Sequence, residues 1–74
     1  MTKTGDVHML QQGEPLTLHR HFQYHLQYAI PVEVYCGDVH VDIGVLTAVD
    51  ASFAELQGTL YSRSLFTFIS RPGF

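Results

Sequence analysis

The spacing of apolar residues changes at Pro31, and this change restricts the fold more than any other feature of the sequence. Before it, Leu18, Phe22 and Leu26 recur every four residues, which indicates one face of a helix. Over residues 32–45, apolar and polar residues alternate, which is typical of β-strands. Because a proline pushes the preceding residue out of helical geometry, we expect the helix to end just before Pro31.

The chain therefore divides into an arm, one helix and a β-rich remainder. Residues 1–14 show little apolar patterning and are predicted to be a weakly ordered arm. A single domain is predicted over residues 15–74, with the helix over about 15–29 and the strands over about 31–71.

The strand pattern predicts a small barrel. In the second of five predicted strands, the inward face changes at Gly44, as expected where a strand bends sharply. One N-terminal helix followed by five short strands describes a mainly β protein, a strongly bent antiparallel small barrel. The five strands are predicted over residues 32–36, 39–49, 53–57, 60–61 and 65–70.

The length of the chain predicts self-association. A chain of 74 residues buries only about 60% of its unfolded surface, so a lone core is marginally stable. Cys36 is the only cysteine, which excludes an internal disulfide and favours a reducing compartment. The last strand, LFTFIS, is nearly uncharged, and such an edge pairs readily with another chain. If the fourth strand of one copy pairs with the fifth of the next, the contact can close into a ring.

The charge and hydropathy of the chain exclude several classes of protein. A net charge of −3 with only four basic residues argues against a broad phosphate-tracking surface, so any nucleic-acid site must be small. No apolar run approaches the roughly 20 residues needed to span a bilayer. The first residues lack the apolar stretch of a secretory signal. We therefore expect a cytoplasmic protein with no membrane association.

Two blocks of the sequence resemble the motifs of a known family. The first, PVEVYCGDVHVDIGVLTAVDASFAEL, joins an alternating strand to a bending glycine (Gly44), an aspartate (Asp50) and an apolar residue in the next strand (Phe53). The second, LYSRSLFTFISRP, places a short loop between the last two strands. In this order they resemble the Sm1 and Sm2 motifs of the Sm-like family, most closely its bacterial Hfq branch. The resemblance covers about residues 22–72 and implies an SH3-type five-stranded barrel.

This resemblance implies a homo-oligomeric ring of five to seven subunits that binds single-stranded RNA, uridine- or adenine-rich, around a central pore. It implies a role in RNA regulation or processing, without a cofactor. In the family, the loop after the Sm1 aspartate and the Sm2 loop form a nucleotide pocket at each subunit junction. The candidate RNA-binding residues carried over are Asp50, Ser52, Phe53, Tyr61, Ser62 and Arg63.

Departures from the Hfq pattern leave a second function open. Hfq has a lysine and a histidine where this chain has Ser62 and Arg63. The arginine-rich rim of the Hfq helix is replaced by residues such as Gln23, Gln27 and Tyr28. Since these changes affect RNA contacts more than assembly, the alternative is a structural or protein-interaction ring without nucleic-acid binding.

Asp50 admits three interpretations: a catalytic carboxylate, a metal ligand or a residue that shapes a turn. A turn aspartate accepts hydrogen bonds from backbone N–H groups two residues further on. General acid–base catalysis usually needs a second titratable group with a different pKa, and the nearest acid, Glu55, lies on the next predicted strand. We favour the turn, and we predict no catalytic residue and no enzymatic activity.

The other candidates also have competing interpretations. Phe53 and Tyr61 can stack on bases, but the alternation favours Phe53 as a core residue and Ser52 as the residue that faces a pocket. Arg63 can bind a phosphate or a base, or pair with an acid of a neighbouring subunit, and the sequence does not decide between them. Arg71 is expected to be solvated.

The histidines raise the question of a metal site. His21 and His25 share a helical face at a spacing that can bind zinc, and His19 and His40 are further candidate ligands. A catalytic zinc needs three protein ligands, yet the chain has no cysteine pair and no HExxH glutamate. Exposed polar positions on the helix are the favoured interpretation, and a small metallo-enzyme is the weakest hypothesis.

Overall fold

A computed structural model describes residues 13–73 of the chain. It shows one helix and antiparallel sheets, so the predicted class, mainly β with an N-terminal helix, is confirmed. The elements are α1 (His19–Gln27), β1 (Val32–Cys36), β2 (Val39–Gly44), β3 (Ala48–Val49), β4 (Phe53–Leu56), β5 (Thr59–Ser62) and β6 (Thr67–Ser70). In the described part of the chain, no helix is long and apolar enough to cross a membrane.

The strands form two three-stranded sheets, in the orders β2-β1-β6 and β3-β4-β5. The predicted second strand is divided between them, because β2 ends at Gly44 and β3 begins at Ala48 in the other sheet. β2 thus ends at the position of the predicted bend, but the predicted continuous strand over residues 39–49 is wrong. Within the described residues the two sheets are not joined into one ladder, so a closed five-stranded barrel is not confirmed.

The core lies where α1 and the inward faces of both sheets meet. Phe22 of the helix packs edge to face against Phe68 of β6, with ring centroids 5.2 Å apart. Alternate residues of β1, Val32 and Val34, are completely buried, as the alternating pattern predicts. The buried apolar residues are Leu16, Phe22, Val32, Val34, Leu46, Ala54, Leu56 and Phe68.

The helix is shorter than predicted. It begins at His19, because Pro15 forms a β-bridge with Ile69 and the chain before the helix is extended. It ends at Gln27, and Ala29 takes a φ of 52°, a left-handed conformation that terminates the helix ahead of Pro31.

The buried face of the helix also differs from the predicted one. Leu18 is 46% exposed, whereas His21, Phe22 and His25 are buried. The apolar repeat placed Phe22 correctly, but it missed the two histidines, because hydrogen bonds make their burial possible. His21 bonds the N–H groups of Thr17 and Leu18, and His25 bonds Ser70 of β6.

Residues 13–16 run along the outer edge of β6, and we call them the edge segment. The Leu16 N–H donates to the Phe68 carbonyl, the Ser70 N–H to the Glu14 carbonyl and the Gly13 N–H to the Ser70 carbonyl, all at 2.8 Å. The predicted open edge of the last strand is therefore covered at Phe68 and Ser70. Of the predicted weakly ordered arm, residues 1–12 lie outside the described part, while Gly13 and Glu14 bond to β6.

The last two strands are displaced from their predicted positions. The turn before β5 falls at Gln57 and Gly58, both with positive φ, so β5 starts at Thr59. The N–H groups of Leu65 and Phe66 both donate to the Ser62 carbonyl, which makes residues 63–66 a tight loop. β6 consequently begins only at Thr67.

Candidate functional site

Asp50 organises the turn between β3 and β4. Its Oδ1 accepts hydrogen bonds from the N–H groups of Ser52 and Phe53, both at 2.8 Å, and its own N–H donates to the Phe53 carbonyl at 2.9 Å. The two backbone bonds to the carboxylate, with smaller contributions from the charges of Arg63 and His19, lower the pKa of Asp50. The interpretation of Asp50 as a residue that shapes a turn is confirmed.

Arg63 joins this turn to the loop after β5 and to the start of the helix. Its backbone N–H donates to the Ser52 carbonyl at 2.8 Å, and its Nη1 donates to the Asp50 carbonyl. The same Nη1 donates to Nδ1 of His19 at 2.8 Å. Its guanidinium carbon lies 4.0 Å from the centre of the Phe22 ring, a cation–π contact. Sequence reasoning missed these contacts, because nothing in a local pattern relates position 63 to position 19.

The guanidinium of Arg63 keeps capacity for a ligand. Arginine has five N–H donors, and those on Nε and Nη2 have no hydrogen-bond partner among residues 13–73. The side chain borders a surface groove of about 390 Å³. The other residues that line this groove are Leu16, Thr17, Phe22, Ala51 and Ser64. A cation with free donors beside apolar and hydroxyl groups suits an anion or a base carbonyl.

Ser62 and Ser64 flank Arg63 in the loop. Their hydroxyl oxygens are 3.0 Å apart and hydrogen bonded. Ser62 lies directly opposite Phe53 across the β4–β5 pair. The structure thus places Ser62 beside the Asp50 turn, on the same face of the sheet as Phe53.

The prediction that Phe53 fills the core is wrong. Phe53 is 43% exposed, whereas the next residue, Ala54, is completely buried. The alternation was correct but its phase was not, because the turn at Asp50 resets which positions of β4 point inward. Phe53 borders a second groove of about 210 Å³, lined also by Ala48, Val49, Asp50, Glu55 and Leu60.

Tyr61 lies apart from the other candidates. It is paired with Ala54, so it occupies the inward face of β5, whereas Phe53 and Ser62 occupy the outward one. Its hydroxyl donates to Oδ2 of Asp42 at 2.6 Å, and its ring contacts Phe66 edge to face at 5.1 Å. The hydrogen bond to Asp42 raises the pKa of Tyr61. These contacts hold β5 against β2 and direct the ring away from Phe53.

His21 and His25 are buried, so their interpretation as exposed polar positions is wrong. Nδ1 of His21 accepts hydrogen bonds from the N–H groups of Thr17 and Leu18, both at 3.0 Å. The His21 N–H donates in return to the Leu18 carbonyl at 2.9 Å, so the imidazole caps the first turn of the helix. Two donors at Nδ1 require the neutral ring, and burial is the main cause that lowers the pKa of His21.

His25 connects the helix to β6. One ring nitrogen, Nδ1, lies 2.7 Å from the His21 carbonyl, and the other, Nε2, lies 2.7 Å from Oγ of Ser70. Because a carbonyl only accepts, Nδ1 carries the proton, and Nε2 accepts from the Ser70 hydroxyl. Both residues are buried, and burial is the main cause that lowers the pKa of His25.

The described residues contain no group of three or more His, Cys, Asp or Glu side chains that could hold a metal ion. Both ring nitrogens of His25 and Nδ1 of His21 are hydrogen bonded within the protein. His40 lies elsewhere, with Nε2 3.3 Å from Glu33. Arg71 is hydrogen bonded to the other oxygen of Glu33, so the expectation that Arg71 is solvated is wrong.

Comparisons of the chain with protein-family models, curated proteins and solved structures found no match in any of the three. The likeness to the Sm-like family rests on the two sequence blocks. A function must therefore be argued from the geometry around Asp50 and Arg63.

Proposed function

We propose that this protein is a ring-forming, Sm-like RNA-binding protein of the cytoplasm, whose site is built from the Asp50 turn and the Arg63 loop. The single observation that carries the proposal is the bonding of these two segments through Arg63, whose Nε and Nη2 have no hydrogen-bond partner among residues 13–73. The two loops that the resemblance assigns to a nucleotide pocket are thus adjacent in space. The RNA is single-stranded and uridine- or adenine-rich.

The groups around Arg63 support contact with an unpaired nucleotide. The free donors on Nε and Nη2 suit a phosphate oxygen or a base carbonyl, and both are acceptors. The exposed ring of Phe53 on the other side of the turn suits stacking, which contributes about 1–3 kcal/mol per base. Ser52 and Ser62 add polar groups beside these two side chains. A single arginine per copy is a small cationic site, consistent with the net charge of −3.

The exposed edge of β5 supports the ring in this proposal. Self-association would repeat the small cationic site in every copy. Among residues 13–73, β5 is an edge strand with no strand paired on its outer side. Along β5, residues whose backbone groups bond to β4 alternate with residues whose backbone groups point away from β4. Leu60 is of the second kind, because it lies opposite Glu55 in a non-hydrogen-bonded pair. Its N–H and carbonyl therefore face the outer side of the sheet. Leu60 is also 62% exposed. An apolar, unpaired edge of this kind favours union with a second copy.

The proposal is tested by titrating labelled U-rich and A-rich oligonucleotides of about ten nucleotides against the protein at two salt concentrations. We expect binding that weakens with salt, since phosphate contacts release counterions. Arg63→Ala should reduce affinity at least about tenfold, equivalent to about 1.4 kcal/mol. Arg71→Ala is the matched control, because it removes the same charge from a side chain that pairs with Glu33.

Two results would contradict RNA binding at this site. One is the absence of salt-sensitive binding to either oligonucleotide. The other is an equal loss of affinity in Arg63→Ala and Arg71→Ala. In that case the loss would come from the change in net charge and not from a contact of Arg63 with RNA. Measurement of the native mass in solution tests the ring separately from the RNA.

A ring without nucleic-acid binding is the second candidate. It is favoured by the exposure of Leu60 and Leu65 and by the use of Arg63 Nη1 within the protein itself. Capture of partners from a native lysate separates the two functions. Partners that persist after nuclease treatment support the protein-interaction ring, whereas partners that nuclease releases support RNA binding.

A further inference from the structure

We propose that the edge segment, residues 13–16, is a displaceable cover that competes with β5 of a second copy for the outer edge of β6. In this scheme the chain inhibits its own assembly, and ring formation requires the segment to leave β6. The inference rests on the proposed self-association and adds its regulation.

The edge segment occupies the backbone groups that a neighbouring strand would need. Thr67 and Ile69 of β6 bond towards β1, so the outward-facing groups belong to Phe68 and Ser70. The Phe68 carbonyl and both backbone groups of Ser70 are bonded to the edge segment. Because one edge accommodates one strand, a second copy can pair along Phe68–Ser70 only after these bonds open.

Pro15 prevents another strand from pairing with the outer side of the edge segment. It lies opposite Ile69 between two hydrogen-bonded positions, so its nitrogen faces away from β6. A proline nitrogen carries no hydrogen, and proline on an edge discourages further strands. In the described part of the chain the sheet therefore ends at the edge segment, and the nitrogen of Pro15 offers no donor to a second copy.

Most of the cover lies at the surface of the protein. Gly13, Glu14 and Pro15 are exposed, and only Leu16 is buried in the core. The backbone bonds between the segment and β6 are neutral, and a strand from a second copy would replace them with bonds of the same kind. The burial of Leu16 is a contribution that exchange must also offset. Exchange then depends on protein concentration and on the apolar surface that β5 brings, including Leu60.

A disulfide between the edge segment and β6 tests the competition in the full chain. Directly opposed residues in a non-hydrogen-bonded antiparallel pair have Cα atoms about 4.5 Å apart, which is within the range of a disulfide. Pro15→Cys and Ile69→Cys introduce such a pair, and Cys36→Ser removes the native thiol. Native mass is then measured across protein concentrations with and without dithiothreitol.

We expect the oxidised protein to assemble less than the reduced protein at every concentration. Both states carry the same N–H at position 15, so only the cross-link differs between them. The same distribution of oligomers in both redox states would overturn the competition while leaving the proposed ring intact. A monomer in both states at every concentration would overturn the competition and the ring together, whereas the oligonucleotide titration would still test RNA binding.

Gly13→Ala provides a second variant that loosens the segment. Gly13 has a φ of +90°, and a Cβ there would lie 3.2 Å from Nη1 of Arg71. A strain of about 1–2 kcal/mol in the left-handed region should lower the concentration for half-assembly on the order of five- to thirtyfold. Gly37→Ala is the matched control, with φ +62° and open space around its Cβ. An equal change, or no change, in assembly for both variants would contradict the proposal.

Discussion

Two histidine contacts at successive turns of α1 differ in their surroundings. His25 is buried between the His21 carbonyl and the Ser70 hydroxyl. His19 meets Arg63 at the surface, where its Nδ1 accepts from the guanidinium. Both are hydrogen bonds of about normal length, but only the first is removed from water. The comparison shows that burial, rather than the hydrogen bond itself, decides whether a polar contact is structural or exchangeable.

The physical reason lies in what replaces each bond when it breaks. Water can satisfy His19 and Arg63, so opening that contact costs little. Water cannot reach His25 or Ser70 without disrupting the core, so each would keep an unsatisfied group. The helix is therefore fixed at its buried face, while its exposed N-terminal end can change partners.

The largest expected effect comes from His25→Ala. It creates a cavity and leaves the Ser70 hydroxyl without its acceptor. We therefore expect the free energy of unfolding to fall by about 3 kcal/mol. The measurement is a urea titration followed by circular dichroism. Ser70→Ala, which removes only the hydroxyl, should cost about half as much, and equal stability of His25→Ala and the wild type would contradict a structural role.

Acidification should weaken the same buried contacts. The pKa values of His21 and His25 are both lowered from 6.5, mainly by burial. Unfolded histidines therefore bind protons at a higher pH than the folded ones do. The stabilisation is complete above pH 6.5 and is lost as the pH falls through the lowered values. Urea midpoints between pH 7.5 and pH 5 should decrease accordingly.

His21→Gln separates the two histidines in this pH dependence. Glutamine at this third helical position can accept from the Leu18 N–H, as in a capping box, but it does not titrate. We expect near wild-type stability at pH 7.5 and a flatter decline towards pH 5. A decline as steep as that of the wild type would assign the whole effect to other groups.

A smaller effect on stability is expected at the exposed contact. Arg63→Ala removes the bonds to His19 and Asp50 and the contact with the Phe22 ring, all at the surface, and should cost about 1 kcal/mol. Arg63→Lys keeps the charge but lacks the planar guanidinium, so it should lose most of the same stability as Arg63→Ala. If Arg63→Ala destabilised the fold as much as His25→Ala, the distinction between the two contacts would be wrong.

The smallest effect is expected for Asp50→Asn. The asparagine oxygen can still accept from the Ser52 and Phe53 N–H groups, so the turn should persist with only a slight fall in thermal midpoint. Asp50→Ala, which removes the acceptor, should lower the midpoint further. Equal midpoints for the two variants would exclude the turn bonds as the role of Asp50.

Local patterns predicted the parts of the fold that depend on neighbouring residues. The end of the helix before Pro31, the end of β2 at Gly44 and the turn at Asp50 follow from backbone geometry within a few positions. Each is specified by the residue type at or beside the position. These features were read correctly from one sequence.

Contacts between distant segments could not be predicted in the same way. The burial of His25 depends on Ser70, and the position of Arg63 depends on His19. The exposure of Phe53 depends on how the turn at Asp50 resets the alternation. The extended conformation at Pro15 depends on pairing with Ile69, which overrides its suitability for a first helical turn.

The pairing of residues 13–16 with β6 also orders events during synthesis. The ribosome makes the edge segment before α1 and makes β6 after every other strand. The hydrogen bond from Leu16 to Phe68 can therefore form only after the intervening elements have been made. Contacts so distant along the chain form slowly. Until they form, the outer edge of β6 lacks its partner, and unpaired strand edges of this kind make folding intermediates prone to aggregate.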